Sequence, residues 1–203
     1  LNLISGERTI HLADSIILCT GGHTRIWKRS TSRRNENNGD GLFLALKSGC
    51  KLIDMEMVQF HPTGMLFPEE MEGTLVTEAV RGEGGHLYNI KGERFMNNYD
   101  EKRMELSTRD SIAKANYNEI KEGRGTQRGG VFLDISHIEK DKILSRLPTI
   151  YKQILDYQKI DISNDPIEVA PTAHYSMGGI NVNSDNHATN VEGLFAVGEV
   201  AGG

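Results

Sequence analysis

The sequence has few cysteines and no long apolar run. Cys19 and Cys50 are the two cysteines among 203 residues, which is too few for a disulfide framework, and they lie too far apart for a CxxC metal site. Neither has a local activating partner, so a cysteine nucleophile is not predicted. This cysteine usage favours a reducing compartment, and we expect a cytoplasmic location. Because no apolar run approaches the ~20 residues of a membrane-spanning helix, no bilayer span is predicted.

The chain has no excess of positive charge. The chain carries 23 basic and 28 acidic residues, for a net charge of −5, and aromatic residues make up only 6%. No Lys/Arg stripe alternates with aromatic residues, which argues against a nucleic-acid partner. The seven histidines show no HxxxH or HxH spacing, so a zinc site is not predicted. A Gly-x-Ser-x-Gly elbow is missing too, which argues against a serine hydrolase.

What the sequence does contain is a mixture of short apolar segments and helical patterns. Residues 15–19 predict a buried strand that ends in the turn Thr20-Gly21-Gly22. Asp40 is predicted to cap a helix that ends at Gly49. The apolar face of that helix comprises Leu42, Ala45 and Leu46. A strand, a loop and a helix in this order favour an α/β layer.

The middle of the chain has a different pattern, which is α+β in character. Ser107 is predicted to cap a helix, and residues 136–139 form a capping-box pattern that opens another helix, interrupted at Pro148. Ile112, Asn116 and Ile120 follow Ser107 at helical spacing. Strands are predicted at 131–135, 167–170 and 194–197.

These changes of pattern predict three segments. Residues 1–54 are expected to form part of an α/β domain, residues 55–172 an inserted α+β domain, and residues 173–203 the return to the first domain. The two α/β segments are too short for a doubly wound core, in which helices cover both faces of the sheet. Since the chain begins at Leu1 and ends on a glycine pair, we expect it to be an internal fragment.

Six polar residues stand in turn-rich or cap-like contexts and are the candidates for chemistry. They are His61, Thr77, Glu78, Arg81, Arg109 and His174. Pro62 restricts His61 to an extended conformation and Gly64 allows a turn, which predicts a fixed and accessible imidazole. A capped loop histidine without a function is the alternative for His61.

The segment 77–85 ends in closely spaced glycines and predicts a helical turn that points at an anion. Glu78 and Arg81 can pair on one face of this turn, and a plain surface salt bridge is the alternative. Arg109 lies in the first turn of its predicted helix, where the helix dipole disfavours a cation. The residues alone therefore favour an anion clamp at Arg109, with an ordinary surface arginine as the alternative.

A series of motifs occurs in a fixed order along nearly the whole chain. The motifs are Thr20–Gly22, Gly39–Gly41, Gln59–Gly64, Thr77–Gly85, Gly92–Met96, Arg109–Asp110, Pro171–Ile180 and Gly193–Glu199. This series resembles the flavoprotein subunit of succinate dehydrogenase and fumarate reductase. The resemblance implies an FAD-binding α/β domain that is interrupted by a capping domain, and a role in electron transport and the tricarboxylic acid cycle.

The resemblance also implies a role for each candidate. It assigns the binding of the dicarboxylate, succinate or fumarate, to His61, Thr77 and His174. It assigns proton transfer to Arg109, with Glu78 and Arg81 as the path that supplies the proton, while a hydride moves to or from flavin N5. Contact with FAD is assigned to Thr20, Gly21, Gly22, Asp40, Gly198 and Glu199. The implied partners are a membrane anchor at the cytoplasmic face and an iron-sulfur subunit.

Some parts of the family pattern are missing from these 203 residues. They are the amino-terminal Gly-x-Gly-x-x-Gly fingerprint, the histidine that in many members bonds covalently to the flavin, and a second substrate arginine. We therefore expect this chain alone to bind FAD weakly or not at all and to be inactive. A fragment of L-aspartate oxidase and a non-catalytic capping or interaction domain are the alternative interpretations.

Overall fold

The computed structural model describes Asn2 and residues 4–202. The predicted segments 1–54 and 173–203 include Leu1, Leu3 and Gly203, which lie outside the described residues. The architecture is mixed α/β, as predicted. Contacts between Cα atoms divide the chain into two compact units. No helix in the described part of the chain has the length and apolar character needed to cross a membrane.

The strands and helices are numbered in chain order. The strands are β1 (Ile16–Leu18), β2 (Leu52–Ile53), β3 (Val58–Met65), β4 (His86–Tyr88), β5 (Val131–Asp134), β6 (Ile167–Ser176), β7 (Gly179–Asn181), β8 (Leu194–Ala196) and β9 (Ala201–Gly202). The α-helices are α1 (Asp40–Lys47), α2 (Ala79–Gly82), α3 (Arg109–Glu119), α4 (Lys140–Arg146) and α5 (Pro148–Gln158). Short 3-10 turns lie at Thr24–Ile26, Glu69–Met71, Phe95–Asn98, Met104–Leu106 and Gly198–Val200, and α3 continues into a π-helical segment at Ile120–Arg124.

The first unit comprises the described residues within 1–22, 39–57 and 176–203. It has two small sheets: β1 pairs in parallel with β8, and β7 lies between antiparallel β2 and parallel β9. Helix α1 supplies the apolar side chains that these strands cover. The buried cluster consists of Leu42, Ala45, Cys50, Ile180, Ala196 and Val200.

Three predictions in this unit are wrong in detail. The N-cap of α1 is Gly39, whose φ of 83° is left-handed, and Asp40 is the first helical residue. Leu46 is exposed, because only the face of α1 with Leu42 and Ala45 packs on the core. Strand β1 is not buried: Ile16 and Ile17 are 52% and 62% exposed. Its described pairing is with β8 alone, so only the end of the strand reaches the buried cluster.

The second unit comprises residues 23–38 and 58–175. Its sheet has the strand order β3-β6-β5-β4, with β5 antiparallel to both β4 and β6. Alternate side chains of β5, including Val131 and Leu133, enter a core that also contains Phe95, Ile112 and Ile154. Helix α3 packs against β3, which brings the start of α3 close to the residues around His61.

The helices of this unit follow the predicted spacing, but their caps differ from the prediction. Ile112 and Asn116 are fully buried on one face of α3, as their spacing predicts. The N-cap of α3 is Thr108 and not Ser107, because the Thr108 hydroxyl accepts a hydrogen bond from the Ser111 N–H. The capping box at 136–139 does not form: α4 begins at Lys140, and its N-cap Glu139 makes no side-chain cap. Helix α5 begins at Pro148, where a missing N–H costs nothing.

Candidate active site

His61 lies inside β3 and is buried. Only 1% of the residue is exposed, so the prediction of an accessible imidazole is wrong, although the extended backbone before Pro62 is confirmed. The reason is tertiary: α3 packs across β3, and the Asn116 side chain donates a hydrogen bond to the Pro62 carbonyl at 2.9 Å. A histidine in this position loses nearly all of its hydration.

Burial sets the protonation of His61. It is the main reason why the pKa of His61 falls to about 3, and the nearby charges of His174, Arg81 and Arg109 lower this pKa further, while Glu78 opposes them. The imidazole is therefore neutral at pH 7. Its Nδ1 accepts the Thr63 backbone N–H at 3.3 Å. A neutral imidazole carries one ring proton, so His61 offers one hydrogen-bond donor and one acceptor without a charge.

His174 lies on β6, beside β3, and its ring faces that of His61. The ring centroids are 5.3 Å apart with the planes tilted by 67°. The segment before Ser32 runs alongside β6, because the Thr31 N–H donates to the Ala173 carbonyl at 2.9 Å. This pairing places the Thr31 hydroxyl 2.8 Å from Nδ1 of His174. Neighbouring strands thus present two imidazoles together.

Arg109 is the first residue of α3, and two side-chain acceptors hold its guanidinium. Nε donates to Glu78 Oε2 at 2.8 Å, and Nη1 donates to Gln59 Oε1 at 3.0 Å. The hydrogen bond from Arg109 is the largest influence on Glu78, and it keeps the pKa of this carboxyl below its usual range. These two hydrogen bonds compensate the unfavourable interaction of Arg109 with the helix dipole. An ordinary surface arginine would lack them.

Arg81 is a buried cation on the four-residue helix α2. The residue is 2% exposed, so the alternative of a plain surface salt bridge is wrong. Its Nη2 lies 3.8 Å from Glu78 Oε2, the same oxygen that Arg109 contacts. Burial lowers the pKa of Arg81, and the charge of Glu78 opposes this effect. Thr77 precedes Glu78 and is half-buried, and its hydroxyl accepts the Ala79 N–H at 3.4 Å.

The second unit thus brings the predicted candidates together. Two guanidinium groups and one carboxylate leave one positive charge in excess beside a neutral imidazole, in a chain whose net charge is negative. Such a cluster attracts an anion and offers it hydrogen-bond donors. Glu78 is hydrogen-bonded to Arg109 and lies 3.8 Å from Arg81, so it is the carboxylate shared by the two arginines.

The first unit contains the residues that the family resemblance assigns to a cofactor. Gly22 accepts a hydrogen bond from the Gly39 N–H at 3.1 Å, next to Asp40. A Cβ on Gly22 would lie 2.7 Å from the Ser176 Cβ, so only glycine fits there. Gly198, which precedes Glu199, has a left-handed φ of 74° and open space where a side chain would lie.

Thr20 and Asp40 complete this group. Thr20 packs against Gly41, and a Cβ on Gly41 would overlap the Thr20 hydroxyl oxygen. Both Thr20 and Asp40 are exposed and can bond to the hydroxyl groups of a ligand. Glycines at 21, 22 and 198 let the backbone approach such a ligand closely. The hydrogen-bond donors and acceptors that these residues present fit the hydroxyl-rich sugar and ribityl parts of FAD.

The structure adds three residues that the sequence did not single out as candidates. Gln59 accepts a hydrogen bond from Arg109, Thr31 contacts His174, and the Glu105 carbonyl accepts a hydrogen bond from Arg81 Nη1 at 2.7 Å. Gln59 belongs to the motif 59–64, which was a usable signal. Thr31 and Glu105 lie in a polar loop and a short turn, and local sequence gives no sign of their distant partners.

Comparison with known proteins shows the family of the chain. Residues 2–203 match the family model of the FAD binding domain. A subunit of the fumarate reductase (CoM/CoB) of Methanothermobacter marburgensis is 51% identical over 203 residues, which are 100% of this chain and 36% of that protein. The 8-methylmenaquinol:fumarate reductase flavoprotein subunit of Wolinella succinogenes is 46% identical, over 93% of this chain and 31% of that protein.

A solved structure of the E. coli quinol fumarate reductase superposes with a TM-score of 0.85 and 38% identity, covering 93% of this chain and 34% of that one. This chain therefore spans about a third of the length of the relatives that it matches. The family model, in contrast, covers nearly every residue. The chain belongs to the FAD binding domain family.

Proposed function

We propose that the protein carrying this chain is an FAD-dependent oxidoreductase that interconverts succinate and fumarate. The observation that carries the proposal is the series Arg109, Glu78 and Arg81 beside a buried neutral His61. Relatives named as fumarate reductase and succinate dehydrogenase flavoprotein subunits support it. FAD, when bound, supplies the hydride chemistry at N5.

The carboxylates of the substrate are bound by His61, Thr77 and His174. His61 offers one ring N–H without a charge of its own, so it can bind a carboxylate without the desolvation cost of a buried cation. The half-buried Thr77 hydroxyl and the His174 ring, 5.3 Å from the His61 ring, add further polar groups. The excess positive charge stabilises negative charge that develops on a carboxylate during reduction.

Arg109 transfers the proton that fumarate reduction consumes at the second alkene carbon. Glu78 accepts a hydrogen bond from Arg109 Nε at 2.8 Å, so it is placed to return a proton to this guanidinium. Arg81 lies beside the same oxygen of Glu78, with 3.8 Å between Nη2 and Oε2, and supplies Glu78 in turn. Gln59 fixes the other arm of Arg109.

The cofactor is held by Thr20, Gly21, Gly22, Asp40, Gly198 and Glu199. In the same proposal, residues 55–172 are a capping domain that binds substrate, and residues 1–54 and 173–203 belong to the FAD-binding domain. The relatives are named as subunits, which supports an assembly with partner subunits. By the family resemblance, we propose that these partners are an iron-sulfur subunit and a membrane anchor. The protein would then lie peripherally at the cytoplasmic face of the membrane.

The test is an assay of the full-length gene product with an artificial electron carrier. Succinate, fumarate and L-aspartate are supplied in turn, and we expect turnover with the first two alone. Oxidation of L-aspartate without succinate or fumarate turnover would overturn the proposal in favour of an L-aspartate oxidase. Absence of all three activities in a flavin-loaded protein would favour a non-catalytic role.

A second measurement addresses this chain by itself. FAD is titrated into the 203-residue protein and its absorption and fluorescence are followed. We expect weak binding or none, since the Gly-x-Gly-x-x-Gly fingerprint is not part of this sequence. A yellow protein that retains flavin through purification would contradict this expectation.

A further inference from the structure

Arg81 depends on one strong hydrogen bond for its position. Its Nη1 donates to the Glu105 backbone carbonyl at 2.7 Å. Its Nε and Nη2 have no hydrogen-bond partner among the described residues, and the Glu78 carboxylate is 3.8 Å away. Because a guanidinium that is 2% exposed has no water shell to hold it, the Glu105 carbonyl largely fixes where Arg81 lies.

Glu105 is itself held in place through its carboxylate. Arg94 donates Nε to Oε1 at 3.0 Å and Nη2 to Oε2 at 2.6 Å, a two-point contact, and the Leu87 N–H donates to Oε1 at 3.1 Å. The side chain of Glu105 is 4% exposed. Bidentate pairs of this kind are short and directional. One residue therefore offers its carboxylate to Arg94 and its carbonyl to Arg81.

The backbone around Glu105 needs such support. Glu105 lies in the 3-10 turn Met104–Leu106, and Met104 has a φ of 47°, a left-handed conformation that is unfavourable for a residue with a side chain. Such a conformation persists only where its surroundings hold it. Three residues after this turn, α3 begins with Arg109. The turn thus contacts Arg81 through the Glu105 carbonyl and leads along the chain into Arg109.

The charge of Glu105 also acts on Arg81. The titratable and charged groups that face Arg81 are Glu78, Arg109, Glu105 and His61. Burial and the charge of Arg109 lower the pKa of Arg81, whereas Glu78 and Glu105 raise it. Removal of the Glu105 charge would lower this pKa further and make Arg81 a weaker base.

We infer that the Arg94–Glu105 ion pair is a positioning pair that holds Arg81 in line with Glu78 and Arg109. The inference rests on the proposed function, since it assigns the pair to the proton path of that reaction. Arg94 belongs to the motif 92–96, to which the sequence pattern assigns no role. Neither Arg94 nor Glu105 is placed in contact with the substrate.

The test compares Glu105→Gln with a matched control in the full-length gene product. The control is Glu119→Gln, because Glu119 is buried like Glu105 (2% and 3% exposed) and is also held by two bonds from one arginine, Arg124, at 2.7 Å each. For Glu105→Gln we expect kcat for fumarate reduction to fall ~10- to 100-fold with little change in KM. The alkaline limb of the kcat–pH profile should move to lower pH. Glu105→Asp, which keeps the charge, should restore part of kcat.

A spectroscopic measurement on the 203-residue chain needs no activity. Exchange of the Arg81 guanidinium protons is followed by nitrogen-15 NMR, with Arg81→Lys for assignment. In the unmodified chain the Nη1 protons should exchange slowly, because they are bonded to the Glu105 carbonyl. Arg94→Lys, which keeps the charge but loses the two-point contact, should speed this exchange several-fold, and Glu119→Gln should leave it unchanged.

The outcomes separate the two proposals. If Glu105→Gln folds and leaves kcat, the pH profile and the Arg81 exchange as in the unmodified protein, the positioning role is wrong while the proposed function stands. An equal kcat loss and an equal shift of the pH profile in Glu119→Gln would also overturn it, since the effect would then be general destabilisation. If the unmodified enzyme turns over neither succinate nor fumarate, the proposed function fails, and the exchange data alone decide whether the pair positions Arg81.

Discussion

The neutral state of His61 makes the stability of the chain depend on pH in a calculable way. The pKa of His61 is 6.5 for a free imidazole and about 3 in the folded chain. The folded value is the lower one, so the unfolded chain binds the proton more readily throughout this window. Above pH 6.5 His61 is neutral in both states, so its protonation no longer changes the free energy of unfolding. As pH falls through 6.5 towards 3, His61 progressively destabilises the folded state.

The magnitude follows from the same two values. Between pH 7 and pH 5 the lost free energy of unfolding is ~2 kcal/mol, and it approaches ~5 kcal/mol below pH 3. The full shift applies because the residue is 1% exposed. His61→Asn removes the titrating ring, so this variant should lose ~2 kcal/mol less than the unmodified chain between the two pH values.

Urea unfolding at pH 7 and pH 5 measures this difference. The chain contains a single tryptophan, Trp27, whose ring lies edge-on to that of Phe60 at 6.2 Å, next to His61. Its fluorescence therefore reports on the second unit. His11→Asn is the control, because His11 is exposed. The reasoning is refuted if His61→Asn and the unmodified chain lose equal stability, or if NMR shows the His61 ring titrating near pH 6.5.

Three further predictions follow from single contacts. Arg109→Lys in the full-length enzyme should abolish turnover while fumarate still binds. The control Arg128→Lys, which alters another paired arginine, should leave turnover and fumarate binding unchanged. Steady-state kinetics measure turnover, and a binding titration measures fumarate binding. Glu119→Gln should lower the free energy of unfolding by ~2–4 kcal/mol at pH 7. The difference should shrink as pH falls from 4.5 towards 2, because the pKa of Glu119 is lowered to about 2. Gly178→Ala should lower the free energy of unfolding by at least ~1–3 kcal/mol, because the added Cβ would overlap a backbone carbonyl. Gly82→Ala, where the added Cβ meets open space, should change this free energy by less than ~1 kcal/mol.

Much of the candidate site could be predicted from the sequence because its residues belong to contiguous motifs. Proline and glycine beside His61, and the spacing of Glu78 and Arg81, act over a few residues, so local chemistry indicates them. Helical spacing likewise identified the buried face of α3 with Ile112 and Asn116. Helix caps were less predictable, because Ser107 and Thr108 are both good cap residues and packing chooses between them.

The tertiary structure decided the electrostatics. The sequence by itself determined which groups are present: two imidazoles, two guanidinium groups, a carboxylate and the glycines of the first unit. It could not tell that His61 is neutral or that Arg81 is buried, because the first depends on the packing of α3 against β3 and the second on the packing of α2 against the turn Met104–Leu106. Protonation follows from burial and from charges on distant parts of the chain, such as Glu105, and only folding brings these together.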